Sequence, residues 1–293
     1  APSGFANSLK VACTTADTSV ASDEVFSIQH KIEGQNLQGF AKGTSDAKPF
    51  AVSFYVKGNA SATFACELID NDNSRQITKL FNVTTDWTRV KLSFPPDTTG
   101  TLDDDNASSM TIVIWLHAGS DFTSGTLNSS SWASSVSANR AGGISSIYDS
   151  TDRTFFITGF QMEVGQNCTE FEHEPIERTL EKCQRYFLHY GFGGNAHLGT
   201  ASYYRSNLAV ISIFFPTAMR TNPSVVENLG STGNQSFIVY TENYVDYVSS
   251  TGIARQGLYG CHLEIGNGNG TIGHAGSGTL QYSDQSVQFN AEL

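Results

Sequence analysis

The stretch TFFITGFQMEVGQNCTEFEHEPIERTLEKCQRYF, Thr154 to Phe187, decides how the chain divides. Its first part alternates. Phe156, Thr158, Phe160, Met162 and Val164 fall on one side, and Ile157, Gly159, Gln161 and Glu163 on the other. A period of two reads as a half-buried strand. Gly165 and Asn167 end it, and a helix is predicted to follow. Pro175 suits a first helical position, where a missing N–H costs nothing. Glu174 and Glu177 set negative charge at the positive end of the helix dipole. Ile176, Leu180, Cys183 and Phe187 recur at spacings of four, three and four, which makes one narrow apolar stripe. Glu181 and Arg185 are spaced to pair on the outer face. A helix of about three turns does not stand alone. The stripe therefore docks on its own β-domain or forms a seam between identical subunits on a symmetry axis. A stripe lying open to water, or a parallel α/β core in either half, would count against this architecture.

The chain has 293 residues, enough for two ordinary domains. Hydrophobic residues make up 39%, sufficient for real cores, while charged residues make up only 15%. Ser, Thr, Asn and Gly fill the difference, as in an all-β protein with many turns. The net charge of −11 argues against nucleic acid and against an anionic membrane surface as partners. No apolar run reaches the ~18 residues of a membrane span, so no membrane insertion is expected. The N-terminus has neither the charged nor the apolar region of a signal peptide. Cys13, Cys66, Cys168, Cys183 and Cys261 are odd in number and lack short spacings, which reads as free thiols made in a reducing cytoplasm. A Cys168–Cys183 pair is conceivable, but nothing argues for it. Ala1 is no initiator methionine, and a missing N-terminal part is the expectation.

Strand signals come regularly from Val25. Phe26, Ile28, His30 and Ile32 alternate with polar residues. Phe50, Val52, Phe54 and Val56 alternate with Ala51, Ser53, Tyr55 and Lys57, the cleanest strand of the chain. Further strands read at Phe64 to Leu68, Ile77 to Val83 and Trp87 to Phe94. Met110 to Leu116 is almost continuously apolar, as a central strand covered on both faces would be. With the strand ending at Val164, short spacings and Gly/Asn/Asp/Ser turns, the pattern predicts a two-sheet sandwich, most simply a jelly roll. The long segment from Ala118 to Asp152 holds Trp132 and Tyr148 among small polar residues. A loop of that length is expected to be functional or partly disordered. After Tyr186 a second β-domain follows, with Leu208 to Phe215 buried on both sides and strands at Ser236 to Tyr240, Leu258 to Ile265, Thr279 to Ser283 and Ser286 to Leu293. The fold class is all-β: residues 1–22 an entry segment or linker, 23–172 a jelly-roll sandwich, 173–190 a helix junction, and 191–293 a C-terminal β-sandwich.

The run from Ile157 to Phe187 resembles a segment of bacteriophage tail-fibre and virion structural proteins. There a strand of the form v-t-g-v-Q-L-E-v-G leads to t-p-F-E, a short helix and C-Q-R-Y. This chain keeps Gly159, Gln161, Glu163, Gly165, Phe171, Glu172, Leu180, Cys183, Gln184, Arg185 and Tyr186. It departs at Met162, where Leu is usual, and at Glu170, where Pro is usual. Ile32 to Gly58, Val83 to Gly100 and Ile112 to Ser134 look like other recurring segments of the family. FFPTAMRTNPSVV, Phe214 to Val226, resembles an F-P-x-x-M-R-x-x-P element of fibre C-termini, and Phe289 to Leu293 a natural family end. The resemblance implies a first domain shaped like a carbohydrate-binding module, which by itself gives no sugar site. It also implies homotrimers, attachment to other virion proteins through an upstream part, and a place on the virion.

Motifs for chemistry are sparse. The seven histidines lack metal-ligand spacing, and His173 has no partner four residues on, so no zinc site and no cofactor is implied. Asp70, Asp72 and Asn73, or Asp103 to Asn106, carry the oxygen ligands of a structural Ca²⁺ site but lack an EF-hand's glycine and distal glutamate. Gly268 to Gly273 matches G-x-G-x-x-G without a βαβ unit and reads as a long hairpin loop. There is no nucleophile elbow, P-loop or Cys/His signature, so no enzyme is expected, although two converging carboxylates would suffice for glycoside cleavage. The seven N-x-S/T sites carry little meaning in a chain so rich in these residues. A sugar surface needs flat aromatics. The candidates are Trp132 and Tyr148 in the first domain and Tyr203, Tyr204, Tyr244 and Tyr247 in the second. The expectation is a virion protein of tail-fibre, receptor-binding type that adheres to a host-surface glycan. The alternatives are a non-adhesive structural virion protein and, less so, a glycan depolymerase.

Overall fold

The computed structural model describes residues 1–192, 196–228, 237–241, 244–266, 268–281 and 285–293, with the side chains of 192, 226–228 and 244–251 left out. The chain is all-β with short helices, and contacts divide it into two units, Ala1–His173 and Glu174–Glu292.

The first unit contains β1 (Leu9–Ala12), β2 (Val25–Glu33), β3 (Phe50–Gly58), β4 (Ala62–Asp70), β5 (Arg75–Val83), β6 (Thr88–Phe94), β7 (Ser108–Ala118), a single-turn helix α1 (Ser120–Thr123), β8 (Ala133–Ser134) and β9 (Thr154–Val164). One antiparallel sheet runs β1-β9-β3-β6, and the other β2-β7-β4-β5-β8. Alternate residues of β3, namely Phe50, Val52, Phe54 and Val56, meet Phe64, Cys66 and Leu68 of β4 and Met110, Ile112, Ile114 and Leu116 of β7 in the core between the sheets. Burying each such side chain contributes about 1.5–3 kcal/mol.

The other face of β7 is also covered. Val113 and Trp115 pack with Ala65 and Ala141, joined by Phe122 and Ile144. The Ala118–Asp152 segment is therefore an ordered cover over the five-stranded sheet, because it has apolar residues to bury there. Residues 1–22 take the entry-strand alternative: β1 pairs with β9 from Leu9↔Ile157 to Ala12↔Thr154.

The even alternation read for β9 is broken at Gly159. Phe155 and Ile157 belong to the core before it, and Phe160 and Met162 pack there after it. The pairing slips between Ser53↔Gln161 and Tyr55↔Thr158. One extra residue in a strand moves every later side chain to the other face. Gly159 has φ +60°, and a Cβ there would lie 2.6 Å from the Phe5 ring. Beyond β9 the chain folds back across the sheet's outer face. Glu163 accepts from the Thr169 backbone N–H at 2.9 Å and hydroxyl at 2.8 Å, while Gln161 accepts from the Glu172 N–H at 2.8 Å. Burial acts to raise the Glu163 carboxyl, but donors from Gln161 and Thr169 outweigh it and hold its pKa below the usual value.

The second unit opens with α2 (Ile176–Gln184), which begins one residue later than expected, because Pro175 takes an extended N-cap geometry. Within the single chain the stripe lies open to water, the outcome set against the expected architecture. Ile176 is 72% and Leu180 53% exposed, and Cys183 is exposed too. The reading of α2 as docked on its own β-domain is thereby corrected. Phe187 is not helical; it starts the first strand of the unit. Among the described residues, Lys182 pairs with Glu174 at 2.7 Å.

The strands are β10 (Phe187–Phe192), β11 (His197–Arg205), β12 (Leu208–Phe214), β13 (Ser224–Asn228), β14 (Phe237–Thr241), β15 (Tyr244–Gly257), β16 (Gly260–Gly266), β17 (Ala275–Leu280) and β18 (Ser286–Asn290). The layers take a particular form: a three-stranded sheet β10-β18-β13 and a closed barrel β11-β12-β16-β15-β14-β17. Because β16 and β17 are not neighbours in the barrel, the Gly-rich loop between them is a crossover, and not the hairpin expected. The C-Q-R-Y, F-P-x-x-M-R and chain-end segments meet at one joint. The Arg220 N–H donates to the Arg185 carbonyl at 2.8 Å, and the Ala291 N–H to the Tyr186 carbonyl at 2.7 Å. The Arg220 guanidinium donates to the carbonyls of Ala291 and Glu292, each at 2.7 Å.

Candidate functional site

The barrel's alternation decides which side chains reach water. Along β12, Ala209, Ile211 and Ile213 face the core, and along β16 Cys261, Leu263 and Ile265 do the same. Their neighbours Ser212, Phe214 and His262 must point outward. Phe214 is 77% exposed. Tyr259, in the turn before β16, is 70% exposed, although its carbonyl is fixed by the Phe215 N–H at 2.9 Å. Between these rings lies a recess of about 260 Å³, lined by Ser212, Phe214, Arg255, Tyr259, Gly260 and His262.

Arg255 sits in an irregularity of the β15–β16 pairing and takes φ +49°, a left-handed conformation uncommon for a side chain of its size. Its guanidinium lies 6.0 Å from the Tyr204 ring centroid, and that of Arg205 lies 5.8 Å from the same ring. Tyr204 is 58% exposed. The result is a surface of three open aromatic rings with guanidinium, imidazole and hydroxyl groups between them. Glu264 shares the outward side of β16. Flat rings stack on apolar ring faces, and guanidinium forks bond paired oxygens.

The aromatics expected to bind sugar have different surroundings within their own units. Trp132 is an interior residue: it is 7% exposed, donates its indole N–H to the Pro95 carbonyl at 2.9 Å, and lies 5.7 Å from Phe50. Tyr203 is likewise interior at 2% exposure. Both are corrected from surface to core. Trp132 is the one large ring in a run of small polar residues, and Tyr203 falls on the inward side of β11 with Ala201. Tyr148 is half-buried against Phe26 and His117. Tyr244 and Tyr247 lie on β15, with side chains outside the described residues. Of the four whose side chains are described, only Tyr204 stands open. Sequence reading missed Phe214, Arg255 and Tyr259. The alternation of β12 would have found Phe214, because a strand covered by a barrel core on one side exposes the other.

The first unit offers a different hollow, about 480 Å³ between its sheets. Its walls are Ile28, Ile112, Ile114, Ile157 and Phe160, with His30 beside them, whose imidazole pKa is lowered by desolvation. Gln29, Thr158 and Gly159 complete the lining, so its apolar part is four isoleucines and one phenylalanine, with Gln29, His30 and Thr158 as its polar groups. The loops weighed for calcium are tied up internally: Asp72 accepts the Asp103 N–H at 2.9 Å, and Asp70 is buried beside Lys42 at 2.5 Å. Among the described residues no three His, Cys, Asp or Glu side chains gather as a metal site. All five cysteines are free, as expected.

Comparison with known proteins gives distant shape only. No family model and no curated protein matches the chain. A CBM4 carbohydrate-binding module matches 47% of this chain and 59% of its own, at 10% identity and a TM-score of 0.23. The chain thus spans under two thirds of that structure's length. The N-terminal tandem CBM22 domains of Xyn10C from Paenibacillus barcinonensis match 97% of this chain and 94% of theirs, at 9% identity and a TM-score of 0.21. Likeness this low carries no argument about ligand, and the all-β fold stands on the strand pairing itself.

Proposed function

We propose that this chain is a receptor-binding virion protein of tail-fibre type, which adheres to a host-surface glycan through the open aromatic face of its second unit. The observation that carries the reading is the exposure of Tyr204, Phe214 and Tyr259, at 58%, 77% and 70%, around the Arg255 recess. Water-facing aromatics grouped with hydrogen-bond donors are the chemistry of contact surfaces. The resemblance of Ile157–Phe187 to fibre proteins supplies the viral setting. Ile176, Leu180, Cys183 and Phe187 form the subunit seam of a homotrimer. Several copies on one particle then act together, so each site need bind only weakly.

A second reading has support from the same stripe. An apolar helix edge open in the single chain fits a scaffold whose surfaces are covered by other virion proteins. Whole-cell binding by the full chain separates the two: adhesion predicts retention on host cells and loss of it after enzymatic removal of the surface glycan. Retention unchanged by glycan removal would defeat the adhesive reading. Mass in solution tests the seam, with a trimer expected and a clean monomer counting against it.

A further inference from the structure

The first unit holds a buried charge cluster that adhesion does not use. Lys42 is 4% exposed, Asp70 0% and Asp97 5%. The Lys42 ammonium is surrounded by Asp70 Oδ2 at 2.5 Å, the Thr99 and Gly100 carbonyls at 2.9 Å each, and Asp97 Oδ2 at 3.1 Å. Four oxygens thus converge on a group with three N–H donors. Lysine ordinarily extends its head to water, and a buried charge persists only when compensated.

The oxygens are held independently of the lysine. Asn73 donates its backbone N–H to Asp70 Oδ1 at 2.9 Å, and its side-chain amide to Oδ1 at 3.1 Å and Oδ2 at 3.0 Å. The Thr99 N–H donates to Asp97 Oδ1 at 3.1 Å, and Arg75 Nε to Asp97 Oδ2 at 2.7 Å. The Trp132 ring closes one side, with its centroid 5.4 Å from the ammonium.

Two carboxylates and two backbone carbonyls converging on one enclosed point are the donor types of a calcium site, which takes oxygen ligands only and tolerates irregular geometry. We propose that this cage is a Ca²⁺-type cation site whose resident cation is Lys42: the chain carries, covalently attached, the positive charge that a metal ion would otherwise bring. The aspartates read from the sequence as possible calcium ligands divide accordingly. Asp70 enters the cage, Asp72 ties its loop to Asp103, and Asp97 supplies the second carboxylate. Truncating the lysine stem vacates both the charge and the space for an ion and its waters. Arg75 on Asp97 remains, so the ion would bind with modest affinity.

The test uses the full chain with Lys42→Ala and Lys42→Ser. Wild type should melt at the same temperature in chelator and in millimolar Ca²⁺. The two variants should melt lower in chelator and recover by about 5–10 °C when Ca²⁺ reaches ~100 times its Kd. Tb³⁺ in place of Ca²⁺ should luminesce on excitation of tryptophan in K42A, through the adjacent Trp132, and K42A/W132F should lose that emission. Lys42→Met, which fills the space with an apolar chain, should be destabilised without any calcium response. The inference is overturned if K42A and K42S fold but ignore Ca²⁺. It is equally overturned if both stay unfolded in Ca²⁺, or if wild type itself gives Trp132-sensitised Tb³⁺ emission.

Discussion

In the first unit Trp132 is 7% exposed, its N–H bonded to Pro95 and its ring beside an ammonium group. In the second, Tyr259 is 70% exposed and Phe214 77%. The contrast extends across the described residues. The exposed large apolar side chains of the first unit, such as Leu9, Val25, Leu80 and Val164, are all aliphatic, while every exposed aromatic is in the second: Phe187, Tyr204, Phe214, Tyr240 and Tyr259. Both outer faces of the first sandwich are wrapped by the chain's own segments. One is covered by Ala118–Asp152, the other by the return after Val164 and by Phe5, 5.2 Å from Tyr55 and 5.0 Å from Phe171. An aromatic ring is buried where the chain has a cover and a partner for its polar tip, and is left open where the neighbouring strand faces water.

Paired substitutions would break this contrast if it is wrong. Trp132→Ala should lose about 3–5 kcal/mol of stability in urea unfolding, as large core truncations do, whereas Tyr259→Ala should stay within about 0.5 kcal/mol of wild type. Equal losses would erase the distinction. Arg220→Ala should cost about 2–3 kcal/mol, because two charged donors to the Ala291 and Glu292 carbonyls disappear. A loss confined to the second unit, read by hydrogen exchange, would locate the joint there. Leu180→Glu should leave stability within about 0.5 kcal/mol, since the residue is 53% exposed, yet reduce a trimer to monomers in a mass measurement.

The smallest effect concerns pH and sharpens the picture of the covered sheet. Glu67 is buried beneath the Ala118–Asp152 cover, bonded to Arg140 at 3.0 Å and to the Trp115 indole at 2.8 Å. Burial raises its pKa, against the lowering effect of Arg140. The native state therefore holds a proton that the unfolded chain releases near pH ~4.3. That contribution is full below this value and lost as pH rises through the folded pKa. Asp97 has the opposite sign. Burial would raise it, but Arg75, Thr99 and Lys42 together hold it low, so its contribution is present above pH ~3.9 and lost as pH falls through the folded pKa. Urea midpoints measured from pH 3 to 7 should decline less on the high side in Glu67→Gln than in wild type. An unchanged slope would count against a raised Glu67.

The first sandwich was readable because its strands alternate large apolar with polar residues; Phe50 to Val56 needed no tertiary information. The slip at Gly159 was hidden, since glycine fits either face of a strand, and its φ of +60° and the Phe5 ring against it are set by the fold. The barrel was less readable. β11 went unseen because its first half carries small residues where the wall has no room: a Cβ on Gly199 would lie 2.7 Å from the Ser212 carbonyl. Of the open aromatic face, only Tyr204 was legible. Phe214 reads as core in a strand buried on both sides, and Arg255 is aimed by a bulge that no spacing announces. The Lys42 cage joins residues from three separate parts of the chain, with only Asp70, at the end of β4, marked by its neighbours.

The most direct measurement of the central claim is binding of the full chain to an array of bacterial surface glycans, beside a variant carrying Y204A, F214A and Y259A together. The account predicts that the chain retains a defined set of glycans and that the variant, with unchanged melting, loses at least about tenfold in affinity. Equal binding by both proteins, or no glycan retained by the wild-type chain, would contradict it.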